Sequence, residues 1–197
     1  MSLKILGGVA KGRSLFVPHG DTIRPTSVMM RRRLFDSRQN LEDSIFVDAC
    51  AGSGAMGFEA WSRGANKVYL IEEDKRVYKI LEKNLAVIES YDEQRQRPIE
   101  VSNSNFERWI SSFSEIYSAL PADQKSQTII YFDPPYHLHK LYKSIVMGLI
   151  HPDWFRGELW LESDEKKGLP TSFWYDMGLK PKKVFTQGTS YVFIVPF

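Results

Sequence analysis

The sequence predicts an α/β protein built on a mostly parallel sheet with an antiparallel strand pair at its C-terminal end, and three observations carry that prediction. The short apolar run Ile45-Phe46-Val47 passes through Asp48 into the turn Gly52-Ser53-Gly54 and on into a helical pattern, which reads as strand, glycine loop, helix. Further along, β-branched and aromatic runs alternate with segments whose apolar residues recur every three or four positions, as in βαβ units. At the end, residues 182–185 and 191–195 read as strands separated by Thr186-Gln187-Gly188-Thr189-Ser190. A chain of 197 residues with 43% apolar content suits one such domain with a small extension.

In chain order, residues 3–18 read as two short strands around a glycine-rich turn that carries Lys11 and Arg13. Arg24-Pro25-Thr26 opens a helix over 24–38, with Thr26 as its cap. Met30, Leu34 and Phe35 form its apolar face and leave Arg31, Arg32 and Arg33 mostly off it. After the glycine loop, 67–72 is a buried strand ending in Glu72, and Asp74 caps a helix in which Val77, Ile80, Leu81, Leu85 and Ile88 recur at helical spacing. A right-handed βαβ crossover then puts Asp48 and Glu72 at one carboxyl edge of a parallel sheet, where open α/β sheets bind ligands. Residues 91–97 form a polar connection, 99–102 a third strand, 106–120 a helix and 121–127 a polar loop. Thr128-Ile129-Ile130-Tyr131-Phe132 is a central strand, followed by a helix over 141–150, a strand over 158–163 and a helix over 171–177 that Gly178 ends. Seven strands fit a single sheet.

Charge is unevenly distributed. Residues 1–40 hold eight Lys and Arg against two Asp, a balance of +6, whereas the remainder holds eighteen against twenty-two, or −4. A basic N-terminus points to an acidic partner such as nucleic acid, with Lys11, Arg13, Arg24, Arg31, Arg32 and Arg33 as the candidate contacts. A merely solvated basic face has the same composition, and a grip elsewhere would fall around Lys140, Lys143 and residues 180–183. A lone cysteine, Cys50, fits a reducing compartment, and no apolar stretch approaches the ~20 residues that span a bilayer, so a cytoplasmic protein that makes no membrane contact is expected. His137 and His139 lack the neighbouring acids or cysteines of a metal site, and no metal is expected.

Two motifs carry the chemistry. Gly52-Ser53-Gly54-Ala55-Met56-Gly57 matches the dinucleotide pattern G-x-G-x-x-G, with Glu72 at the distance of a ribose-binding acid. Asp48, four residues before the loop, would instead repel a pyrophosphate and attract the cationic end of an amino-acid-bearing cofactor, which favours S-adenosylmethionine. Candidate cofactor residues are Asp48, Ala49, Gly52, Ser53, Gly54, Glu72, Asn105, Phe106 and Asp133. Asn105 can bond an adenine edge and Phe106 can pack on its face, although an ordinary asparagine-rich turn has the same residues.

The second motif, Asp133-Pro134-Pro135-Tyr136, follows the central strand directly. Two prolines stiffen the backbone into a rim of acceptors. The Asp133 carboxylate and the Pro134 carbonyl can accept both N–H groups of an exocyclic base amine and turn its lone pair toward an electrophilic methyl, while Tyr136 stacks on the base. Catalysis is therefore assigned to Asp133, Pro134, Pro135 and Tyr136, with no covalent role for Cys50.

These residues, together with Gly7-Gly8, Lys11-Gly12-Arg13, Leu15, Arg24-Pro25-Thr26, Leu34-Phe35, Lys83-Asn84-Leu85, Asn103-Ser104-Asn105, Glu162-Ser163 and Gly168-Leu169-Pro170, resemble nearly end to end the RsmD type of ribosomal RNA methyltransferase. The resemblance implies a seven-stranded Rossmann-like methyltransferase sheet over residues 41–197 behind a hairpin and basic, RNA-contacting helix over 1–40. It also implies methylation of the N2 amine of a guanine in small-subunit (16S) ribosomal RNA, with S-adenosylmethionine as donor. The partner would be that RNA or a small-subunit assembly intermediate, and a monomer is expected. The chain departs from the family pattern at Val28 and Arg32, where acidic residues are usual, and at Cys50, where a bulkier apolar residue is usual. Competing readings are an adenine N6 methyltransferase on DNA or another RNA, a nicotinamide oxidoreductase, and a non-catalytic RNA-binding module of the same fold.

Overall fold

The computed structural model describes residues 3–17, 27–91, 97–150 and 154–197. A two-stranded antiparallel hairpin, β1 (Leu3–Lys4) with β2 (Ser14–Leu15), comes first, followed by helix α1 (Val28–Ser37). The sheet strands are β3 (Ile45–Asp48), β4 (Lys67–Glu72), β5 (Ile99–Asn103), β6 (Thr128–Phe132), β7 (Glu158–Asp164), β8 (Lys183–Gln187) and β9 (Ser190–Pro196). Between them lie α2 (Ala55–Ser62), α3 (Lys75–Glu89), α4 (Phe106–Ser118), α5 (Ala122–Ser126), α6 (His139–Ile150) and α7 (Thr171–Asp176). The strand order is β5-β4-β3-β6-β7-β9-β8, parallel through the first five, with β9 antiparallel to both β7 and β8. The seven-stranded sheet expected from the sequence is thus present. Its order reverses between β3 and β6, which is where an open α/β sheet forms its ligand crevice.

Alternation along the strands builds two cores. Phe46, Val68, Leu70, Ile129, Tyr131, Trp160 and Val192 face the hairpin, α1, α2 and α3. Their neighbours Val47, Tyr69, Ile71, Ile130, Phe132, Leu161 and Phe193 face α4, α6 and α7. Strands buried on both faces are near-continuous apolar runs, as in β6, where all five residues are buried.

Several boundaries differ from the sequence expectation. Thr26 lies outside the described residues, and α1 is capped by Ser27, whose Oγ accepts from the Met30 amide at 3.0 Å. Residues 121–127, expected as a loop, contain the single helical turn α5 behind Pro121. It buries no side chain, so no apolar periodicity marks it. The α1 register also differs: its buried stripe is Met30, Arg31, Leu34 and Phe35, because position 31 lies three and four residues from 34 and 35. Arg31 is 0% exposed and donates through Nη2 to the Lys4 carbonyl at 2.6 Å.

The hairpin is clamped on the C-terminal end of α2. Leu6 N–H donates to Glu59 Oε2 at 2.7 Å, Val9 N–H to the Ser62 carbonyl at 2.8 Å, and Ala10 N–H to Ser62 Oγ at 2.9 Å. Asn84, buried on α3, pairs with the backbone of Phe16 through both ends of its amide and also donates to the Ser53 carbonyl at 2.8 Å. The chain leaving the hairpin is thereby tied to the glycine loop. Among the described residues no helix is long and apolar enough to cross a membrane.

Candidate active site

A cavity of about 810 Å³ opens over the carboxyl ends of β3, β4, β5 and β6. Its wall comes from the residues that follow each strand: Ala49, Cys50 and Gly52 after β3, Glu72 to Asp74 around the end of β4, Ser104 to Glu107 after β5, and Asp133 to Leu138 after β6. Among the described residues five carboxylates border it, those of Glu72, Glu73, Asp74, Glu107 and Asp133, and no Lys or Arg does. Such a wall suits a ligand rich in N–H and O–H donors or bearing a cationic centre, and disfavours a polyanion.

The glycine loop turns its donors inward. Gly52 N–H donates to Glu72 Oε2 at 2.9 Å and Gly57 N–H to Asp48 Oδ2 at 3.0 Å, so these two amides are taken by the protein's own acids. Gly54 caps α2 with φ 80°, a left-handed conformation in which a Cβ would also lie 2.3 Å from the Phe58 ring. A Cβ on Gly57 would lie 2.1 Å from Leu70 Cδ2, so the third glycine lets α2 pack closely on β4.

Electrostatics follow from this packing. Asp48 is 1% exposed, and burial raises its pKa to about 7 against the opposing Gly57 N–H, with the Glu72 charge adding to the rise. Burial also raises Glu72, countered by the Asp74 and Gly52 amides that its carboxylate accepts. The Cys50 thiol is pushed well above its ordinary value, first by burial and then by Asp133 and Asp48, which disfavours the thiolate a nucleophile needs.

The Asp133-Pro134-Pro135-Tyr136 segment is braced from beneath by residues the sequence reading did not place in the site. Glu162 on β7, 4% exposed, accepts from the Tyr131 hydroxyl on one carboxylate oxygen and from Tyr136 Oη at 3.4 Å on the other. The Tyr142 hydroxyl on α6 lies 2.8 Å from the Glu162 carbonyl and 3.1 Å from the Pro134 carbonyl, bridging β7 to the segment. A carbonyl oxygen has two lone pairs, so this contact leaves Pro134 with acceptor capacity. The available signal was a buried-strand pattern interrupted by an acid beside a tyrosine-bearing strand, which becomes legible only once β6 and β7 are known to be neighbours.

Of the expected cofactor residues, Ala49, Gly52, Glu72, Asn105, Phe106 and Asp133 line the cavity. Asp48, Ser53 and Gly54 stand behind the wall, Asp48 because its carboxylate is drawn to the α2 amide and Ser53 because its carbonyl is held by Asn84. The Asn105 amide oxygen caps α4 through the Arg108 N–H at 2.9 Å, and the Phe106 ring stacks on Trp109 at a 5.9 Å centroid distance. Glu73, Asp74, Glu107, His137 and Leu138 also line the cavity and were not expected there. They are the residues just past the strand ends. Among the described residues no group of three or more His, Cys, Asp or Glu is placed to hold a metal ion.

The expected RNA contacts scatter. Arg24 lies outside the described residues. Arg31 is buried, which corrects its assignment to an RNA-facing surface. Lys11 and Arg13 are exposed, but the hairpin docks at Ser62, where α2 has run from the carboxyl edge to the opposite edge of the sheet. Arg13 lies there over the Tyr91 ring at 4.0 Å, just past the end of α3. Arg32 and Arg33 are exposed on α1.

Comparison with known proteins gives the following likenesses. The model of a family described as conserved hypothetical protein 95 matches residues 3–184. The ribosomal RNA small subunit methyltransferase D of Escherichia coli K12 is 34% identical over 86% of this chain and 78% of its own. Among solved structures, the putative methyltransferase yhhF from Escherichia coli superposes with a TM-score of 0.73 at 28% identity, covering 100% of this chain and 98% of that one. An RNA methyltransferase from Salinibacter ruber, solved in complex with S-adenosyl-L-homocysteine, shares the fold at a TM-score of 0.56 and 13% identity, over 88% of this chain and 93% of that one.

Proposed function

Because the chain belongs to the conserved hypothetical protein 95 family and is a ribosomal RNA methyltransferase of the RsmD type, we propose that it methylates the exocyclic N2 amine of a guanine in small-subunit ribosomal RNA, using S-adenosylmethionine. The observation that carries this reading is the cavity itself, whose described residues form a wall of carboxylates without Lys or Arg that ends in Asp133-Pro134-Pro135-Tyr136. That wall suits a sulfonium-bearing amino acid nucleoside and does not suit the pyrophosphate of a nicotinamide dinucleotide. The S-adenosyl-L-homocysteine bound to the Salinibacter ruber protein is the demethylated form of the same donor.

Glu72 would hold ribose hydroxyls, with one carboxylate oxygen anchored on Gly52 N–H and the other on Asp74 N–H. Ala49 and Gly52 offer close backbone approach, and Asn105 and Phe106 border the end of the cavity formed by β5. Asp48 acts indirectly, by holding the loop through Gly57. When bound, S-adenosylmethionine supplies an electrophilic methyl on a good leaving group. The protein's work is then positioning. A guanine amine is a weak nucleophile because its lone pair is delocalised into the ring. The Asp133 carboxylate and Pro134 carbonyl accept its two N–H groups and favour the pyramidal nitrogen whose lone pair faces the methyl. Tyr136, held by Glu162, stacks on the base, which must be unpaired or flipped out to reach the cavity.

The division into residues 1–40 and 41–197 belongs to the same proposal. The described part of the first forty shares the β3 side of the core through Leu3, Ile5, Leu15, Met30, Leu34 and Phe35, so it covers the sheet and does not stand apart from it. The substrate is the RNA or a partly assembled small subunit, and the enzyme acts as a monomer.

Tritiated methyl transfer to small subunits from cells lacking the enzyme, followed by nucleoside analysis, tests the reaction. The expected product is N2-methylguanosine, and N6-methyladenosine would replace this reading with the adenine one. Asp133→Ala should slow single-turnover transfer by roughly 10²–10³-fold while changing cofactor affinity only a few-fold, because its bonds strengthen as charge develops. A rate near wild type would remove Asp133 from the chemistry.

A further inference from the structure

We propose that the half of the carboxyl edge formed by the ends of β6, β7 and β8 grips the single-stranded RNA flanking the target base through Lys140, Lys143, Lys166, Lys167 and Arg33. The inference rests on the function proposed above and names the surface that reads its substrate.

The carboxyl edge is electrically divided. Over β4 and β5 it carries Glu72, Glu73, Asp74 and Glu107, which border the cavity. Past Tyr136 the sign reverses. Lys140 sits in the first turn of α6, between the cavity residues Leu138 and Leu141, and Lys143 follows one turn on, both exposed. Lys166 and Lys167 are exposed in the segment after β7, and their amides both donate to Asp164 Oδ1 at 3.0 Å. Asp164 is buried and also accepts from Thr189 and Ser190, so this backbone is anchored while the two side chains reach solvent. Lys143 Nζ lies 4.9 Å from the Phe173 ring centroid, which brings α6 against the start of α7 and makes the two lysine pairs one surface. Arg33 donates to the Thr186 carbonyl at 2.6 Å, which places α1's exposed cation at the same end of β8. Glu165, in the same segment as Lys166, turns its carboxylate to Thr171.

Aromatic rings lie within this basic surface: Tyr136 at the cavity and Phe173 under Lys143, both half-buried. Cations that track phosphates, interleaved with rings on which bases stack, are the recurring features of single-stranded nucleic-acid grooves. The opposite edge is poorly placed for this task. A strand of five to seven residues spans about 20 Å, more than two screening lengths of about 8 Å at physiological salt. Lys11 and Arg13, on a hairpin held at Ser62 and with Arg13 over Tyr91, therefore sit away from a nucleotide in the cavity.

The test compares three double variants of the full chain: Lys140→Ala with Lys143→Ala, Lys166→Ala with Lys167→Ala, and Lys11→Ala with Arg13→Ala. Binding of a fluorescein-labelled single-stranded RNA of mixed sequence is measured across a salt series, alongside S-adenosylmethionine affinity and methyl transfer to small subunits from enzyme-deficient cells. Each carboxyl-edge pair should lower the slope of log K against log salt by about 1.4, two single-strand phosphate contacts at about 0.7 each. Each should also raise KM for the subunit more than it lowers kcat, with cofactor affinity unchanged. Lys166→Arg with Lys167→Arg should restore the slope, and the Lys11 and Arg13 pair should leave it at wild type. Wild-type slope and affinity in both carboxyl-edge pairs, or a loss confined to the Lys11 and Arg13 pair, overturns the grip while leaving the enzyme reading intact. Absence of methyl transfer by the wild-type protein overturns that reading and the grip with it.

Discussion

Asp48 shows how far one residue's role depends on where its side chain turns. Its place at the end of β3 was legible from the apolar run before it and the glycines after it. That its carboxylate bonds the Gly57 amide, behind the cavity wall, was not. The consequence is a pH dependence with a definite sign. Burial raises the Asp48 pKa from 3.8 to about 7, so between those values the folded state holds a proton that the unfolded state has released. The contribution of Asp48 to stability is then fully present below pH 3.8, falls as pH rises toward 7 and is lost above it. Asp48→Asn keeps a side-chain acceptor for Gly57 N–H and removes the titration. Thermal unfolding of the cofactor-free protein should show wild type losing roughly 2–4 kcal/mol relative to Asp48→Asn between pH 5 and pH 8. Parallel pH profiles for the two proteins would mean that Asp48 is ionised throughout and that Gly57 alone offsets its burial.

At the scale of elements, the hairpin was predicted from its glycines and short apolar runs, but its function as a clamp on α2 arises from contacts fifty or more residues apart in sequence. Gly8 stands at the contact with φ 73°, and a Cβ there would lie 1.7 Å from the Ser62 carbonyl oxygen. Gly12 has φ 86° and open space where its Cβ would be. The pair separates backbone strain from collision. In urea unfolding, Gly12→Ala should cost about 1 kcal/mol from the left-handed backbone alone, and Gly8→Ala about 2–4 kcal/mol from strain plus overpacking. Equal losses would show that the hairpin shifts freely on α2. Helix α1 teaches a related lesson: its charge pattern marked three arginines as one basic face, whereas the i, i+3, i+4 geometry turns Arg31 into the core and leaves Arg32 and Arg33 outside.

Across the whole molecule, the sheet separates a cavity edge from the edge where the hairpin docks, and the acidic cavity is the surface on which a donor would act. A ligand that binds only the folded state stabilises it by mass action, about 2.7 kcal/mol at a hundred times its Kd. For a domain of this size that corresponds to roughly 5–10 °C in Tm. S-adenosylmethionine at such a concentration should produce this shift, and NADH at the same concentration should produce none. A larger shift with NADH would reassign the glycine loop to a dinucleotide.

What the sequence determined by itself was the order and type of nearly every element, the glycine loop, the acid ending β4 and the Asp133-Pro134-Pro135-Tyr136 rim. Each of these is written locally, in periodicity, turn residues and motif spacing, and each lies where a strand ends. Tertiary structure alone decided which groups meet. It set Glu162 under Tyr136 because β6 and β7 are neighbours, tied the hairpin exit to the glycine loop through Asn84, and buried Arg31 while sending Lys11 and Arg13 to the far edge. The physical reason is that periodicity records which face of an element is apolar, whereas a buried polar side chain is placed by the partner that satisfies it, and that partner is usually remote in sequence.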